Sequence, residues 1–377
     1  MTQKVVGTGA RAGAPVVCVI GGGQLARMMQ EAAIPLGIEL RALVEAEDGS
    51  AGQAIPYSTV GHAEDRDAIV EFVGQNVVTV EHEHIPDEIL REVGSRPSAD
   101  ALRFAQDKLI MRNSLDAPHP QWREAHSAEE IDAAIAELGG TAIAKTPTDG
   151  YDGKGVAVVT SAADIPWDWA DGDRILLEEK VEFTMEVAQL IARSPSGEVK
   201  AWPLVQSTQK DGICWEVIAP APVDYALAER AEEIAKQIAE QTGVVGVLAV
   251  EMFVVGDRLL VNELAMRPHN TGHWSIDGAV TSQFEQHLRA VLDLPLGDTS
   301  PTQPWSVMVN LLGSQLADPR EALGEVWKQD PGVKVHMYGK EVKPLRKIGH
   351  VTVCGNDLED VRRRAHAAIT IFEGKES

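Results

Sequence analysis

Cysteine is scarce: Cys18, Cys214 and Cys354 are the only three in 377 residues, and no two form a CxxC pair. That argues against a disulfide framework and a cysteine zinc site, and suits a reducing compartment, the cytoplasm. Positive charge is short as well. The 34 Lys and Arg stand against 57 Asp and Glu, giving a formal charge of −23. Nucleic acid and anionic membranes bind a basic face, so neither is expected as a partner. No apolar run approaches the about 20 residues of a membrane span. Met1 to Pro15 has no apolar stretch of the kind a secretory signal carries, and residues 1–15 are expected to be a disordered tail. A Walker loop, GxxxxGK[ST] opening a helix, is also missing. Any anionic substrate must then be held where Lys, Arg and backbone amides converge locally.

What is present is enough for two or three domains with ample cores, at 44% apolar residues. Val16 to Ile20 is a short apolar run that ends in Gly21-Gly22-Gly23. A helix-forming stretch from Gln24 follows, then apolar runs at Ile38 to Val44 and Val77 to Val80. Strand, glycine turn, helix, strand predicts a parallel α/β layer. Ser98 to Leu115 reads as one helix capped by Ser98. After Pro118 the pattern becomes a helix at Ala128 to Leu138 and strands at Ala142 to Lys145, Val156 to Val159, Ile175 to Leu177, Val187 to Ala192 and Ala201 to Val205. Pro195-Ser196-Gly197 makes a hairpin turn. A helix from Asp224 to Thr242 stops at Gly243. Strands Val245 to Val255 and Arg258 to Glu263 flank Gly256-Asp257. The three prolines between Leu294 and Pro304 mark a boundary to a smaller unit, with strands near Val307 to Leu312, Val333 to Tyr338 and His350 to Val353, and a last helix from about Asp357 to Ile371.

Chemistry gathers at a few places. Gly21-Gly22-Gly23-Gln24-Leu25-Ala26 fits the GxGxxA fingerprint, with Glu45 at the end of the next strand. Such a loop offers amides to a phosphate, packs a strand on a helix, or binds NAD. Lys145 ends a strand before the loop Thr146 to Gly155, whose Gly150, Gly153 and Gly155 suit a flap over nucleotide phosphates, with Lys145 beneath. Glu178-Glu179-Lys180-Val181, followed by Glu186, reads as a strand entering a linker, or as an ordinary charged turn. Glu251 and Glu263 lie on two apolar strands, five residues before and six after the turn, so antiparallel pairing sets them nearly opposite. Facing carboxylates repel and resist desolvation, which a hard cation relieves, and Mg²⁺ commonly takes one or two carboxylates plus phosphate oxygens. Asn262 can add an oxygen. The loop Arg267-Pro268-His269-Asn270-Thr271-Gly272-His273 puts positive charge beside that metal. Glu81-His82-Glu83-His84 resembles a metal site only superficially, and Glu81 is better suited to a substrate amine or hydroxyl. Lys340 to Lys347, with Lys340, Arg346 and Lys347, is the densest basic cluster.

The motifs GGGQLARM, KTPTDGYDGKG, EEKVEFTMEVA, GVLAVEMFV, VNELAMRPHNTGHW and GKEVKPLRKIGH occur in the order found in the N5-carboxyaminoimidazole ribonucleotide synthetase family of ATP-grasp enzymes, and the chain resembles that family from about Val16 to Ile371. The resemblance implies a fold of mixed α/β and α+β class. Its parts are a Rossmann-like pre-ATP-grasp domain (16–117), an ATP-grasp domain (118–296) and a small β-rich C-terminal domain (297–377), in a homodimer. It implies a purine-biosynthetic ligase that activates bicarbonate with ATP as carboxyphosphate and carboxylates the amine of aminoimidazole ribonucleotide. It also raises a hand-off of the labile product to a mutase.

By the resemblance, Lys108, Lys145, the flap Gly150, Tyr151, Asp152, Gly153, Lys154, Gly155 and Val156, then Glu178, Glu179, Lys180, Val181, Glu186, Gln209, Asn262 and Glu263 bind ATP. Glu251 and Glu263 hold Mg²⁺ or Mn²⁺. Gly23, Gln24, Leu25, Glu81, Lys340, Arg346 and Lys347 meet the ribonucleotide, while Tyr151, Lys154, Arg267, His269 and Asn270 handle the reacting groups. Two departures stand out. Gln206 and Gln209 occupy places where the family often has histidine, so a charged role is lost there. Lys154 stands where an arginine is sometimes seen, a point charge for a fork. The alternatives are another ATP-grasp carboxylate–amine ligase, using formate or resembling biotin carboxylase, an NAD-dependent oxidoreductase, and a non-catalytic nucleotide sensor.

Overall fold

The computed structural model describes residues 13–148, 150, 154–166 and 174–375. A parallel sheet of order β3-β2-β1-β4 opens the chain, from β1 (Val16–Ile20), β2 (Glu39–Val44), β3 (Tyr57–Val60) and β4 (Val77–Val80). Helix α1 (Gln24–Leu36) leaves β1 through the glycine turn, and Gly21 takes φ 115°, which a side chain would oppose. Then come α2 (Arg66–Val73), α3 (Asp87–Val93), α4 (Ala99–Gln106) and α5 (Lys108–Ser114). The single helix expected over Ser98 to Leu115 is thus two. Asp107 ends α4 in extended conformation and its carboxylate caps α5, accepting from Leu109 and Ile110 N–H. A local side-chain cap outcompetes helix continuation there.

Next, β5 (Trp122–Ala125), α6 (Ala128–Glu137), β6 (Ala142–Lys145), β7 (Val156–Val159) and β8 (Ile175–Glu179) build a small antiparallel sheet of order β5-β8-β6-β7. A large antiparallel sheet holds β9 (Met185–Arg193), β10 (Val199–Ala201), β11 (Val205–Lys210), β12 (Ile213–Ala219), β13 (Gly246–Val255) and β14 (Arg258–Ala265). The strand expected at Ala201 to Val205 is a connection between β10 and β11, where Trp202 turns inward and gives its indole N–H to Thr281 O. Helix α7 (Tyr225–Thr242) runs between β12 and β13 with Asp224 as N-cap and Gly243 as left-handed C-cap. Then α8 (Ser275–Gly278) and α9 (Gln283–Val291) follow. Strand β15 (Trp305–Leu312), α10 (Leu323–Gln329), β16 (Lys334–Met337), β17 (Lys347–Gly355) and α11 (Leu358–Phe372) close the chain.

Strand β15 pairs with β12, so the large sheet runs β14-β13-β9-β11-β12-β15-β17-β16 without a break. Helix α9 lies between the first sheet and the large one. Its Phe284, Leu288 and Val291 pack with Leu25, Met28 and Met29 of α1. His287 accepts Val247 N–H at Nδ1 (3.1 Å), which leaves its Nε2–H to donate to Thr79 of β4 at 2.8 Å. Burial drives this imidazole down to about 3, so the stitch stays neutral.

Candidate active site

Strands β13 and β14 set Glu251 directly opposite Glu263, as the sequence spacing predicts. The unequal count is absorbed by a bulge at Glu251/Met252 that leaves Asn262 unpaired as the extra residue. Freed from the ladder, Asn262 gives its carbonyl to Arg112 (2.8 Å) and its amide oxygen to Lys145 (2.8 Å). Lys145 and Arg112 also converge on the Glu178 carboxylate at 2.7 and 2.6 Å. Burial alone would raise that carboxyl, but the two cations outweigh it and hold it below its usual range. Glu178 thus holds the two cations together. Lys108 reaches within 3.7 Å of Glu263.

Arg112 was not singled out from sequence, although it lies one turn after Lys108 on the same helix face, the spacing that puts both side chains in one place. Glu179 exchanges hydrogen bonds with Gln121, and Lys180 is exposed beside Glu182. Glu186 sits across from Ser207 in the ladder. Burial raises its carboxyl and a hydrogen bond from Gln209 opposes the rise. Val156 and Lys154 are exposed, and Gly150 and Gly155 close against Thr146. The expected flap residues Tyr151, Asp152 and Gly153 lie outside the described residues.

Glu251 is partly buried and pushed up to about 8, by desolvation first, then by Glu263 and Glu186, with Lys347 and Arg267 opposing. A carboxyl so disfavoured as an anion, opposite another carboxylate and beside an amide oxygen, is a donor set suited to a hard divalent cation. Among the described residues no group of three or more His, Cys, Asp or Glu is placed to hold a metal. An ion here must complete its shell from phosphate and water.

The loop after β14 brings Arg267 and His269 to the same end of the strands. Arg267 is fixed by Glu83 (3.1 Å), which also accepts Met266 N–H (2.9 Å). Glu83 is a second residue missed from sequence, its signal being the repeated acid two positions after Glu81. His269 Nδ1 faces Thr271 Oγ1 at 2.8 Å and Thr271 N–H at 3.5 Å. Because an N–H can only donate, Nδ1 is the acceptor and the proton sits on Nε2. Burial, Arg267, Lys347 and His273 all keep the ring neutral. The Asn270 amide, expected among the reacting groups, is buried against Asn310, a third residue that sequence reading passed over.

The glycine turn departs from its phosphate-cradle reading. The Glu81 carboxylate, buried, accepts from Gly23 N–H and, at 3.0 Å, from Leu25 N–H at the start of α1. Desolvation raises Glu81, against the pull of both amides and Lys340. Gln24 receives a hydrogen bond from Lys340. Arg346 is half-exposed and near Glu341, and the Lys347 ammonium acts electrostatically on both Glu251 and His269.

Two antiparallel sheets, the buried Lys108 and Lys145 and two opposed carboxylates are the frame of an ATP-grasp ligase. The family models agree: the ATP-grasp domain matches residues 110–284, the ribonucleotide synthetase preATP-grasp domain 15–106, and the phosphoribosylaminoimidazole carboxylase C-terminal domain 306–364. N5-carboxyaminoimidazole ribonucleotide synthase of Mycobacterium bovis is 46% identical over 94% of this chain and 87% of its own. That of Corynebacterium ammoniagenes is 45% identical over 94% and 91%. The crystal structure of the Thermus thermophilus synthetase superposes with a TM-score of 0.85 at 37% identity, covering 96% of this chain and 99% of that one. The Aspergillus clavatus synthase, in complex with ADP and 5-aminoimidazole ribonucleotide, gives 0.87 at 32% identity, with 96% and 99% covered. The chain belongs to the N5-carboxyaminoimidazole ribonucleotide synthase family, whose members carboxylate 5-aminoimidazole ribonucleotide with ATP in purine biosynthesis.

Proposed function

We propose that the site where the small sheet meets β13–β14 performs this carboxylation with the following division of labour. Lys108, Lys145, the flap, Glu178 to Val181, Glu186, Gln209, Asn262 and Glu263 seat ATP. Glu251 and Glu263 hold Mg²⁺ or Mn²⁺, which when bound neutralises phosphate charge. Arg267 and the neutral Nε2–H of His269 donate to the oxygens of the transferring phosphoryl group and of carboxyphosphate, where charge accumulates. Lys340, Arg346 and Lys347 take the acceptor's phosphate, and Glu81 its amine or hydroxyls. The γ-phosphoryl group passes to a bicarbonate oxygen and ADP leaves; the amine nitrogen then attacks the carboxyl carbon, the bond from that carbon to the phosphate oxygen breaks, and the amine proton departs with the phosphate.

The observation that supports this most is the pair of opposed carboxylates with Arg267, His269 and Lys347 gathered beside it. Cysteine usage and charge favour a cytoplasmic enzyme, and the resemblance favours a homodimer that passes its product to a mutase. Among the described residues no helix is long and apolar enough to cross a membrane. The test is His269→Asn with labelled bicarbonate, reading ADP and carboxylated product in one reaction. Loss of one such donor typically lowers kcat by about 10²–10³. ADP should also outrun product, because poorly held carboxyphosphate decomposes. Wild-type kcat with a one-to-one ratio would remove His269 from the reaction.

A further inference from the structure

Helix α9 begins with Gln283, and this side chain is fully buried against the loop that carries His269. Its Oε1 accepts His269 N–H at 2.8 Å, and its Nε2 donates to His269 C=O at 2.8 Å. Both polar groups of one residue's backbone are therefore held by one side-chain amide. The arrangement fixes the amide's orientation, since only the oxygen can accept from N–H and only the NH₂ can donate to C=O. The same Nε2 lies 2.9 Å from His273 Nδ1. That ring nitrogen is then an acceptor, and the His273 proton is on Nε2.

Gly272 is a second, independent sign that the loop is shaped around this side chain. A Cβ there would lie 2.4 Å from Gln283 Oε1 and 2.2 Å from Leu190 Cδ2. The backbone of Gly272 does not need a glycine's left-handed freedom, as it is absent from the positive-φ positions; the space is what is needed. The start of α9 adds another link, with Gln283 N–H donating to Ser275 Oγ (2.9 Å) and Ser275 Oγ donating to Gly272 O (2.6 Å). On its other side α9 packs against α1, so it connects the glycine turn with the His269 loop.

We propose that Gln283 is a positioning residue for the carboxylation: it locks the backbone of His269, and the tautomer of His273, so that the His269 ring faces the activated carboxyl group. This rests on the assignment of His269 above. His269 C=O also accepts Gly272 N–H at 2.9 Å, so the amide's loss leaves His269 N–H unpartnered and the carbonyl with one donor in place of two. A buried N–H left unpartnered is expensive, and the loop must then move to find another acceptor.

The discriminating variant is Gln283→Glu, of equal shape. One carboxylate oxygen keeps the His269 N–H, while the other meets the lone pairs of His269 C=O and of His273 Nδ1. Gln283→Glu should lower kcat by roughly 10- to 100-fold, the scale on which a small displacement of a reacting group acts. ADP should exceed carboxylated product in the labelled-bicarbonate assay, while the KM for ATP stays within about twofold. Gly272→Ala, which pushes the amide aside and keeps both polar residues, should uncouple in the same way and covers the case in which Gln283→Glu does not fold. Nitrogen NMR of the histidine-labelled protein supplies a readout apart from activity. Wild type should show His273 unprotonated at Nδ1 and protonated at Nε2, and Gln283→Glu should protonate Nδ1.

A one-to-one product ratio in both variants, with His269→Asn uncoupled beside them, would overturn the positioning role alone. A His269→Asn enzyme that keeps wild-type turnover and ratio would overturn the assignment of His269, and this inference with it.

Discussion

Replacing Glu251 by Gln should make the ligand-free protein more stable while abolishing its reaction. The carboxyl is held at about 8 in the fold against an ordinary 4.5. An unfolded chain ionises it above about 4.5, whereas the folded chain keeps the proton until about 8. Between those limits the folded state binds more protons, so stability falls as pH rises through the window and the full penalty applies above it. At 1.36 kcal/mol per unit, the rise corresponds to a ceiling of about 5 kcal/mol, which water entry and side-chain relaxation reduce. The amide of the Glu251→Gln variant has nothing to titrate. The assay is urea denaturation of wild type and Glu251→Gln in EDTA, at pH 5 and at pH 8.5. The two should differ little at pH 5, and the variant should be the more stable by a few kcal/mol at pH 8.5. Mg²⁺–ATP should then raise the wild type and release a proton, and raise the variant less with no proton released. Parallel stability curves across the pH range would refute the reasoning, because the opposed carboxylates would then cost the fold nothing.

Gly23→Val places a Cβ 2.3 Å from Glu81 Oε1, so it should displace that carboxylate and raise the KM for aminoimidazole ribonucleotide far more than that for ATP. Initial-rate kinetics with each substrate varied decide it, an equal rise in both KM values being the contrary result. Glu178→Gln leaves Lys145 and Arg112 buried beside an uncharged amide, and breaking such a pair typically costs about 3–5 kcal/mol. The expected outcome is a lower urea midpoint together with weaker ATP binding by calorimetry; unchanged ATP affinity would separate the cluster from the nucleotide.

The Glu251–Glu263 register was legible in the sequence because a tight turn and two apolar runs fix the pairing by counting. The caps Ser98, Asp224 and Gly243 were legible for a similar reason: each acts within one turn of its own helix. Asp107 was not, since an acid amid helix formers looks like any exposed residue until its carboxylate is seen on two amides. Gln283, Arg112 and Asn310 escaped because their partners are 14, 66 and 40 residues away. Short strands such as β3, half of it exposed, carry too little periodicity to register. The fingerprint at Gly21 misled in part. Its glycines are where a close approach requires them, but the approaching oxygens belong to Glu81.

That internal carboxylate has a consequence for selectivity. A turn of this shape ordinarily attracts a dinucleotide's pyrophosphate to the amides at the head of the helix. Here one acid from the neighbouring strand end already satisfies those amides. A dinucleotide would have to displace that carboxyl before it met the amides. The shape of the turn serves the packing of β1 on α1, and a single side chain changes what it will admit.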